Sequence, residues 1–336
     1  MDKPKLIVIT PVRNEAWVLE AFLTHCSSWA DYIIIADQHS TDGSREIALR
    51  FPKVTLIDNP TDEWVENACR ARLLEEAQHI SGNKIIVALD ADEFLSDGFQ
   101  YTEGWRHIME SKPNEIFCFR WFNLYGDFFH GRTEGVGAEW AAHFSSDIDI
   151  VAEYNLREQH AVHCQRVPCL ESERCRYTMI EDIRFIHLGN LNTHRVHNKL
   201  DFYQVVNFDK NPRRSNPISL YRSYRKILVA TAPVLDSSVR LTTADGSDIT
   251  PLVRTSDYGQ HYIDEIVTIL KREGMKKFEK LCIWDNPDLC AAGIKCHPPI
   301  LIHMIHQYLN VTQRRSDSPL IKAIDKALSL SLKPYL

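Results

Sequence analysis

The sequence lacks a long apolar run, a paired-cysteine pattern and an excess of positive charge. No apolar run approaches the length of a membrane-spanning helix, roughly 20 residues. The nine cysteines are odd in number and scattered, which indicates free thiols in a reducing compartment. The net charge of -6 argues against nucleic acid as a partner, because polyanions are bound by clustered cations. The first residues lead into a strand-like run rather than a signal-peptide core, so we expect a cytoplasmic protein.

The sequence does have apolar material for a core and a regular alternation of strands and helices. Of its 336 residues, 44% are hydrophobic and 25% are charged, as in soluble globular proteins. Uninterrupted apolar strands that alternate with helices are typical of a parallel sheet covered on both faces, so the sequence predicts a doubly wound α/β fold. The predicted strands are 5–10, 31–37, 53–58 and 84–89, and then, less regularly, 115–129, 147–156 and 183–190.

The predicted strands end in polar residues. Thr10 and Pro11 close the first strand, Asp37 closes the second, and Asp90 follows the fourth. In a doubly wound sheet, ligands bind beyond the carboxyl ends of the strands. These positions therefore predict a candidate site.

The densest charge lies in NKIIVALDADEFLSDG, residues 83–98, where Asp90, Asp92, Glu93 and Asp97 follow an apolar strand. Carboxylates this close repel one another and resist losing their water, so a positive group should accompany them. Two carboxylates in D-x-D spacing suit Mg2+ or Mn2+, which take oxygen ligands. A solvated turn is the alternative, because so short a motif often arises by chance.

Three stretches, taken in order, resemble the nucleotide-binding half of family 2 glycosyltransferases. They are ITPVRNEAWVLEAFL, IIIADQHSTDGS and NACRARLLEEAQHISGNKIIVALDADEFL. The resemblance covers residues 5–97 and returns at FIHLGNLNTHRVHNKLDFYQ, residues 185–204. It implies transfer of a sugar from a nucleotide-diphosphate sugar to a hydroxyl acceptor, with inversion at the anomeric carbon and with Mn2+ or Mg2+ as cofactor.

The resemblance also implies a domain organisation. We expect a GT-A-type, mostly parallel, Rossmann-like sheet with a helical C-terminal extension. The GT-A domain would cover residues 1–232, with a nucleotide-binding half over 1–98 and an acceptor half over 99–232. The polar segment 233–255 would be a linker, and 256–336 a helical region.

The resemblance gives roles to five matching positions. Asp37 would contact the nucleobase, Arg70 the nucleotide, and Asp90 the ribose or the donor sugar. Asp92 and His187 would bind the metal ion. Each has an ordinary alternative, since Arg70 could be a surface arginine and His187 a core histidine.

Further contacts to the nucleotide sugar are implied on both sides of these positions. Pro11, Asn14 and Glu15 belong to the motif after the first strand, although they could simply shape its turn. Lys199 and Arg195, four positions apart on a predicted helix, would flank the diphosphate.

Inverting transfer needs a carboxylate as general base for the acceptor hydroxyl. Glu158 and Asp182 are both candidates, and the sequence leaves the choice open. Histidines and cysteines in the neighbouring segment 160–175 suggest zinc, but no CxxC pair is present. We expect that segment to pack as part of an acceptor loop.

Two other classes of protein compete with the glycosyltransferase. A nucleotidyltransferase of similar architecture usually has a glycine-rich phosphate loop after its first strand, and TPVRNEAW contains no glycine. A non-catalytic binding module would not need Asp90, Asp92 and His187. Gln38 stands where the family usually has a second aspartate, so base selectivity would differ. The expected acceptor is a glycan or lipid-linked glycan of surface polysaccharide or lipopolysaccharide synthesis, which would bring helices after Ser256 to the inner face of a membrane.

Overall fold

A computed structural model of the chain divides into two compact units, which are described separately. The described residues are 3–59, 66–112, 115–144, 166–167, 176–210 and 216–332. The first unit comprises Met1–Gly189 and Pro233–Thr255, and the second comprises Asn190–Ala232 and Ser256–Leu336.

A nine-stranded sheet organises the described part of the first unit. Its strands are β1 Lys5–Val12, β2 Tyr32–Asp37, β3 Val54–Asp58, β4 Lys84–Ala88, β5 Glu93–Leu95, β6 Glu115–Leu124, β7 Gly131–Phe144, β8 Arg176–Met179 and β9 Phe185–His187. The strand order is β3-β2-β1-β4-β7-β6-β9-β5, and β8 pairs with β6. The first four strands of this order are parallel, and β7 is antiparallel to β4. The carboxyl ends of β1, β2 and β4 therefore meet at one edge.

Alternating side chains let helices cover both faces of the parallel strands. Ile7 and Ile9 of β1 point to one face, where they pack in a buried cluster with Leu73 and Leu74. On the other side Phe22 meets the Phe94 ring edge to face. The helices of this unit are α1 Leu19–Ser27, α2 Ser44–Ala48, α3 Glu66–Gln78 and α4 Glu103–Met109. The predicted doubly wound α/β fold is confirmed.

Segment 233–255, for which the sequence predicts a linker, is part of the first unit. Leu241 is buried, and the Nδ1 atom of the buried His25 lies 2.7 Å from the carbonyl oxygen of Thr242. Leu95 N donates to His25 Nε2 over 3.2 Å, so the ring hydrogen is on Nδ1 and is donated to Thr242. Most side chains of this segment face solvent, which is why its composition resembles a linker although a few residues anchor it.

The second unit is helical, as predicted for the C-terminal region. Phe202 and Val205 pack with Ile263, Ile266 and Phe278 in one buried cluster. Within the described residues, no helix is both long enough and apolar enough to cross a membrane. The helices are α5 Thr193–Lys210, α6 Pro217–Arg225, α7 Gln260–Glu273, α8 Met275–Phe278, α9 Pro287–Ala291, α10 Ile300–Thr312 and α11 Pro319–Leu332.

The structure can be compared with two of the three strands predicted in the middle of the chain. The prediction at 115–129 corresponds to β6, which ends at Leu124, and the prediction at 183–190 corresponds to the shorter β9. The prediction at 147–156 lies outside the described residues.

His25 gives the first unit a distinct acid sensitivity. Burial lowers the pKa of His25 to about 4, against 6.5 for an ordinary histidine. A folded-state pKa below the unfolded value means that its stabilising contribution is present above pH 6.5 and is lost as the pH falls towards 4. We expect this residue to lower the free energy of unfolding by about 2 kcal/mol when the pH falls from 7 to 5. Urea unfolding at the two pH values measures the loss, and His25→Gln should remove that part of the slope. An unchanged slope in the variant would contradict this assignment.

Candidate functional site

The loop after β4 carries the predicted carboxylates at the carboxyl edge of the sheet. Glu93 is fully buried, whereas the side chain of Asp90 is 36% exposed and that of Asp92 is 11% exposed. Burial of like charges this close would be unfavourable without positive partners.

Two buried arginines supply the positive charge. Arg70 of α3 donates to Asp90 Oδ1 over 3.0 Å. Arg166 donates to Asp90 Oδ2 and to Glu93 Oε2, each over 2.7 Å. Burial by itself would raise the pKa of Asp90, but Arg166 and Arg70 outweigh it and hold that pKa below its ordinary value. Both oxygens of Asp90 thus bind guanidinium groups in this structure.

Glu93 ties this loop to the neighbouring strands. Its carboxylate accepts hydrogen bonds from Trp121 Nε1 and from the backbone N of Asp90, both over 2.9 Å. The Arg166 guanidinium lies 5.8 Å from the centroid of the Trp121 ring, which also stacks with the imidazole of His187. Glu93 therefore stabilises the conformation of the segment that carries Asp90 and Asp92.

Asp92 and His187, far apart in the chain, meet at this edge. Strand β9 pairs antiparallel with β5, with Glu93 opposite His187, and Leu188 N donates to the backbone O of Asp92 over 2.9 Å. This pairing leaves Asp92 Oδ2 3.5 Å from His187 Nε2. The His187 Nδ1 atom lies 2.6 Å from Asn123 Oδ1.

Gly189 lies against this pair, and the close approach requires a residue without a side chain. A Cβ atom at this position would lie 2.5 Å from His187 Nε2 and 3.2 Å from Asp92 Oδ2. The first distance is far below van der Waals contact, so any larger residue would displace the imidazole. The spacing of the pair fits a small cation, since two ligands about 2.1 Å from one ion lie roughly 3 to 3.5 Å apart.

Two side chains alone do not complete a metal coordination sphere. Within the described ranges, no cluster of three or more histidine, cysteine, aspartate or glutamate side chains is arranged to hold a metal ion. Mg2+ and Mn2+ commonly take one or two protein ligands and complete their shell with water and substrate phosphates. The arrangement is therefore compatible with an ion that binds together with a phosphate ligand.

Asp37 ends β2 with one carboxylate oxygen that has no partner among the described residues. The residue is 1% exposed. Its Oδ2 atom accepts from Arg45 over 2.8 Å and from Ser40 N over 3.2 Å, whereas none of the described residues donates to the buried Oδ1. A buried acceptor without a donor costs about 1–3 kcal/mol, so this atom suits a ligand that brings a donor.

The residues after β1 join this loop to the loop after β2. Asn14 has a positive φ of 55°, and its Oδ1 accepts from Thr41 N over 2.8 Å. Glu15 accepts from Trp17 Nε1. Pro11 lies in β1 beside Ala36 of β2. In the structure, these motif residues organise the edge at which Asp37 lies.

The other predicted site residues lie in other elements or outside the described residues. Asp182 accepts a hydrogen bond from Gly104 N, at the start of α4, over 3.0 Å. It lies before the first residue of β9, whereas His187 is the last residue of that strand. Lys199 and Arg195 belong to α5 of the second unit, where Arg195 is buried and donates to Asp257 over 2.9 Å. Arg195 thus has a partner within its own unit. Glu158 and the segment 160–175, apart from 166–167, lie outside the described residues.

Sequence reasoning missed Arg166, Asn123 and the bracing role of Glu93. Arg166 stands in HCQRVPC, where the histidines and cysteines drew the interpretation towards zinc. No local sequence pattern indicates the role of Arg166, because its partners lie in a segment distant in sequence. The sequence nevertheless predicted a positive group beside the carboxylates, and that prediction could have led to Arg166.

Known proteins support the resemblance in one part of the chain. Residues 7–161 match the family "Glycosyl transferase family 2". No curated protein matches the chain.

Several solved structures are similar to the chain at low identity. A 4-diphosphocytidyl-2C-methyl-D-erythritol synthase is 13% identical, with a TM-score of 0.35 over 54% of this chain and 89% of that one. Glucosyl-3-phosphoglycerate synthase from Mycobacterium tuberculosis, in complex with Mn2+, UDP and glucosyl-3-phosphoglycerate, is 13% identical, with a TM-score of 0.34 over 71% and 84%. In its complex with phosphoglyceric acid, the same synthase is 17% identical, with a TM-score of 0.28 over 36% of this chain and only 44% of that one.

Similarity at such TM-scores carries no argument about substrates, so the assignment rests on the family match and on the topology described above. Residues 7–161 of the chain are therefore similar to Glycosyl transferase family 2, over just under half of its length.

Proposed function

We propose that the protein binds a nucleotide-diphosphate sugar at the carboxyl edge of its sheet and transfers the sugar, with inversion, to a hydroxyl of a glycan or lipid-linked glycan. The observation that carries the proposal is the meeting of Asp92 and His187, 3.5 Å apart, against a glycine that a side chain could not replace without displacing the imidazole. The family of residues 7–161 supports a nucleotide sugar as donor. A lipid-linked acceptor would bring the enzyme to the inner face of a membrane, the location expected from the sequence.

The donor nucleobase would bind at Asp37. Its buried Oδ1 lacks a donor among the described residues, and uracil, thymine and guanine carry a ring N–H group that can supply one. Arg45 bonds the other carboxylate oxygen and so fixes the orientation of the side chain.

The diphosphate would lie near Asp92 and His187. These two side chains would hold Mn2+ or Mg2+, which supplies charge neutralisation for the leaving diphosphate when bound. Asp90 is held by Arg70 and Arg166, so we assign it to orienting that loop and, with its exposed part, to contact with the donor.

The loop after β1 favours glycosyl transfer over nucleotidyl transfer. A phosphate cradle needs backbone N–H groups that point at the ligand. Here the N–H groups of Asn14, Glu15 and Ala16 already donate to Ser40, Ser44 and Asp42 side chains, each over 2.9 Å. These donors are engaged within the protein.

The general base is proposed to be Glu158. Asp182 caps the backbone at Gly104 and lies beyond the opposite end of β9 from His187, which makes it the less suitable of the two candidates. Glu158 would accept the proton of the acceptor hydroxyl on the face of the sugar opposite to the leaving diphosphate.

The nucleobase contact is tested at Asp37. Asp37→Asn keeps the shape of the side chain but removes its charge and turns part of it into a donor. We expect nucleoside diphosphate binding, measured by calorimetry, to weaken about 10-fold or more, as for the loss of a charged hydrogen bond. Asp58→Asn is the matched control, because the exposed Asp58 also pairs with Arg45. Equal affinities for the wild type and Asp37→Asn would contradict the role.

The cation site is tested by thermal shift with UDP, GDP, CMP and dTDP, each in Mn2+ or EDTA. A nucleotide at 100 times its Kd should stabilise the protein by about 2.7 kcal/mol, and we expect this only with Mn2+. Asp92→Asn, His187→Ala and Gly189→Ala should each abolish the Mn2+-dependent part. Asp97→Asn, which changes the carboxylate just after β5, should retain it. An equal shift in EDTA would show that the metal role is wrong.

The general base is tested by a pair of variants. Glu158→Gln should lower transfer by about 10²- to 10⁴-fold while nucleotide affinity stays unchanged, because the residue acts on the acceptor. Asp182→Asn should change the melting temperature more than the turnover number, because its carboxylate binds the start of α4. Wild-type turnover in Glu158→Gln would move the role to another carboxylate.

A further inference from the structure

Behind His187 lies a chain of hydrogen bonds that the family resemblance did not predict. It begins at Glu134 of β7, whose carboxylate accepts from the Arg132 guanidinium, from the Tyr125 hydroxyl and, over 3.0 Å, from Asn123 Nδ2. The Glu134 carboxylate faces the Arg132 guanidinium, and both of its oxygens are hydrogen-bond acceptors.

Glu134 therefore decides which way the Asn123 amide points. The NH2 group must face the carboxylate, since an amide oxygen there would meet only other acceptors. Asn123 is 5% exposed, so water does not offer its amide an alternative partner. The amide oxygen is consequently turned to the other side, towards β9, where His187 pairs in register with Asn123.

The orientation of Asn123 in turn sets the hydrogen of the imidazole. Asn123 Oδ1 lies 2.6 Å from His187 Nδ1, and an amide oxygen can only accept. Nδ1 must therefore carry the hydrogen, which in a neutral ring leaves the lone pair on Nε2. That nitrogen is the one 3.5 Å from Asp92 Oδ2. That separation suits two groups that bind one divalent cation.

We propose that Asn123, oriented by Glu134, is a positioning residue that fixes His187 as the Nδ1–H tautomer and thereby prepares the Asp92–His187 pair for a divalent cation. This inference rests on the proposed function, because it presumes the cation site. Hydrogen bonds from the second nitrogen of a metal-binding histidine commonly fix its tautomer, and their loss weakens metal binding about 10- to 100-fold.

The position of Asn123 fits this role better than a purely structural one. Trp121 and Asn123 are two positions apart in β6, so their side chains lie on the same face of the strand. Trp121 stacks on the imidazole ring of His187, and Asn123 contacts the edge of that ring. Together they restrain both the tilt and the rotation of the ring. An apolar residue at 123 would fill the space without directing the imidazole hydrogen.

The first test uses the full-length wild-type protein without metal. Long-range 1H–15N spectra of protein labelled with 15N-histidine report which ring nitrogen bears the hydrogen, and His187→Ala identifies the His187 signals. We expect a protonated Nδ1 and an unprotonated Nε2. A protonated Nε2, alone or together with Nδ1, overturns the inference, and this test depends on no variant at position 123.

The second test measures Mn2+ binding by calorimetry with the same spectra alongside. Asn123→Leu should give mixed tautomers at His187 and a Kd for Mn2+ weaker by about 10- to 100-fold. The double variant Asn123→Asp, Glu134→Gln reverses the donor and acceptor between the two side chains but still offers an acceptor to Nδ1. It should restore the tautomer and most of the affinity. Asn83→Leu, at an exposed asparagine, is the control and should match the wild type.

The outcomes separate the two claims. If the wild type binds Mn2+ through Asp92 and His187 while Asn123→Leu keeps the wild-type tautomer and affinity, the role of Asn123 is wrong and the cation site stands. If the wild type shows no Mn2+ binding, with or without a nucleoside diphosphate, the cation site and this inference both fail.

Discussion

The site depends on how the protein neutralises the negative charge that follows β4. Glu93 is fully buried and Asp90 partly so, and neither would be stable there without Arg70 and Arg166. Breaking a buried ion pair by removing one partner typically costs about 3–5 kcal/mol. The arginines therefore stabilise the conformation of this segment and bind the carboxylates of Asp90 and Glu93.

The sheet topology supplies the second half of the site. β9 runs antiparallel to β5 and parallel to β6, which brings His187 beside both Asp92 and Asn123. Local sequence has no influence on this meeting, because it follows from the order of the strands. The absence of a side chain at Gly189 lets His187 keep its position beside Asp92. Charge neutralisation, strand order and one small residue together produce the geometry.

The sequence predicted the parallel strands well and the supporting residues poorly, for physical reasons. β1, β2 and β4 are apolar and buried on both faces, so their composition alone marks them, and Asp37 and Asp90 follow directly. His187 was reached only through family resemblance. Arg166 and Asn123 could not be found, because each acts through a partner distant in the chain. The segment 233–255 resembled a linker because its burial is confined to a few anchors such as Leu241.

The central claim is that Asp92 and His187 jointly hold a divalent cation at the donor site. Anomalous diffraction at the manganese edge, from crystals grown with Mn2+ and a nucleoside diphosphate, tests it directly. The account predicts one ion bonded to a carboxylate oxygen of Asp92, to Nε2 of His187 and to phosphate oxygens, with Arg70 and Arg166 still on Asp90. An ion bound at Asp90 in place of an arginine, or a diphosphate bound with no ion near His187, would contradict it.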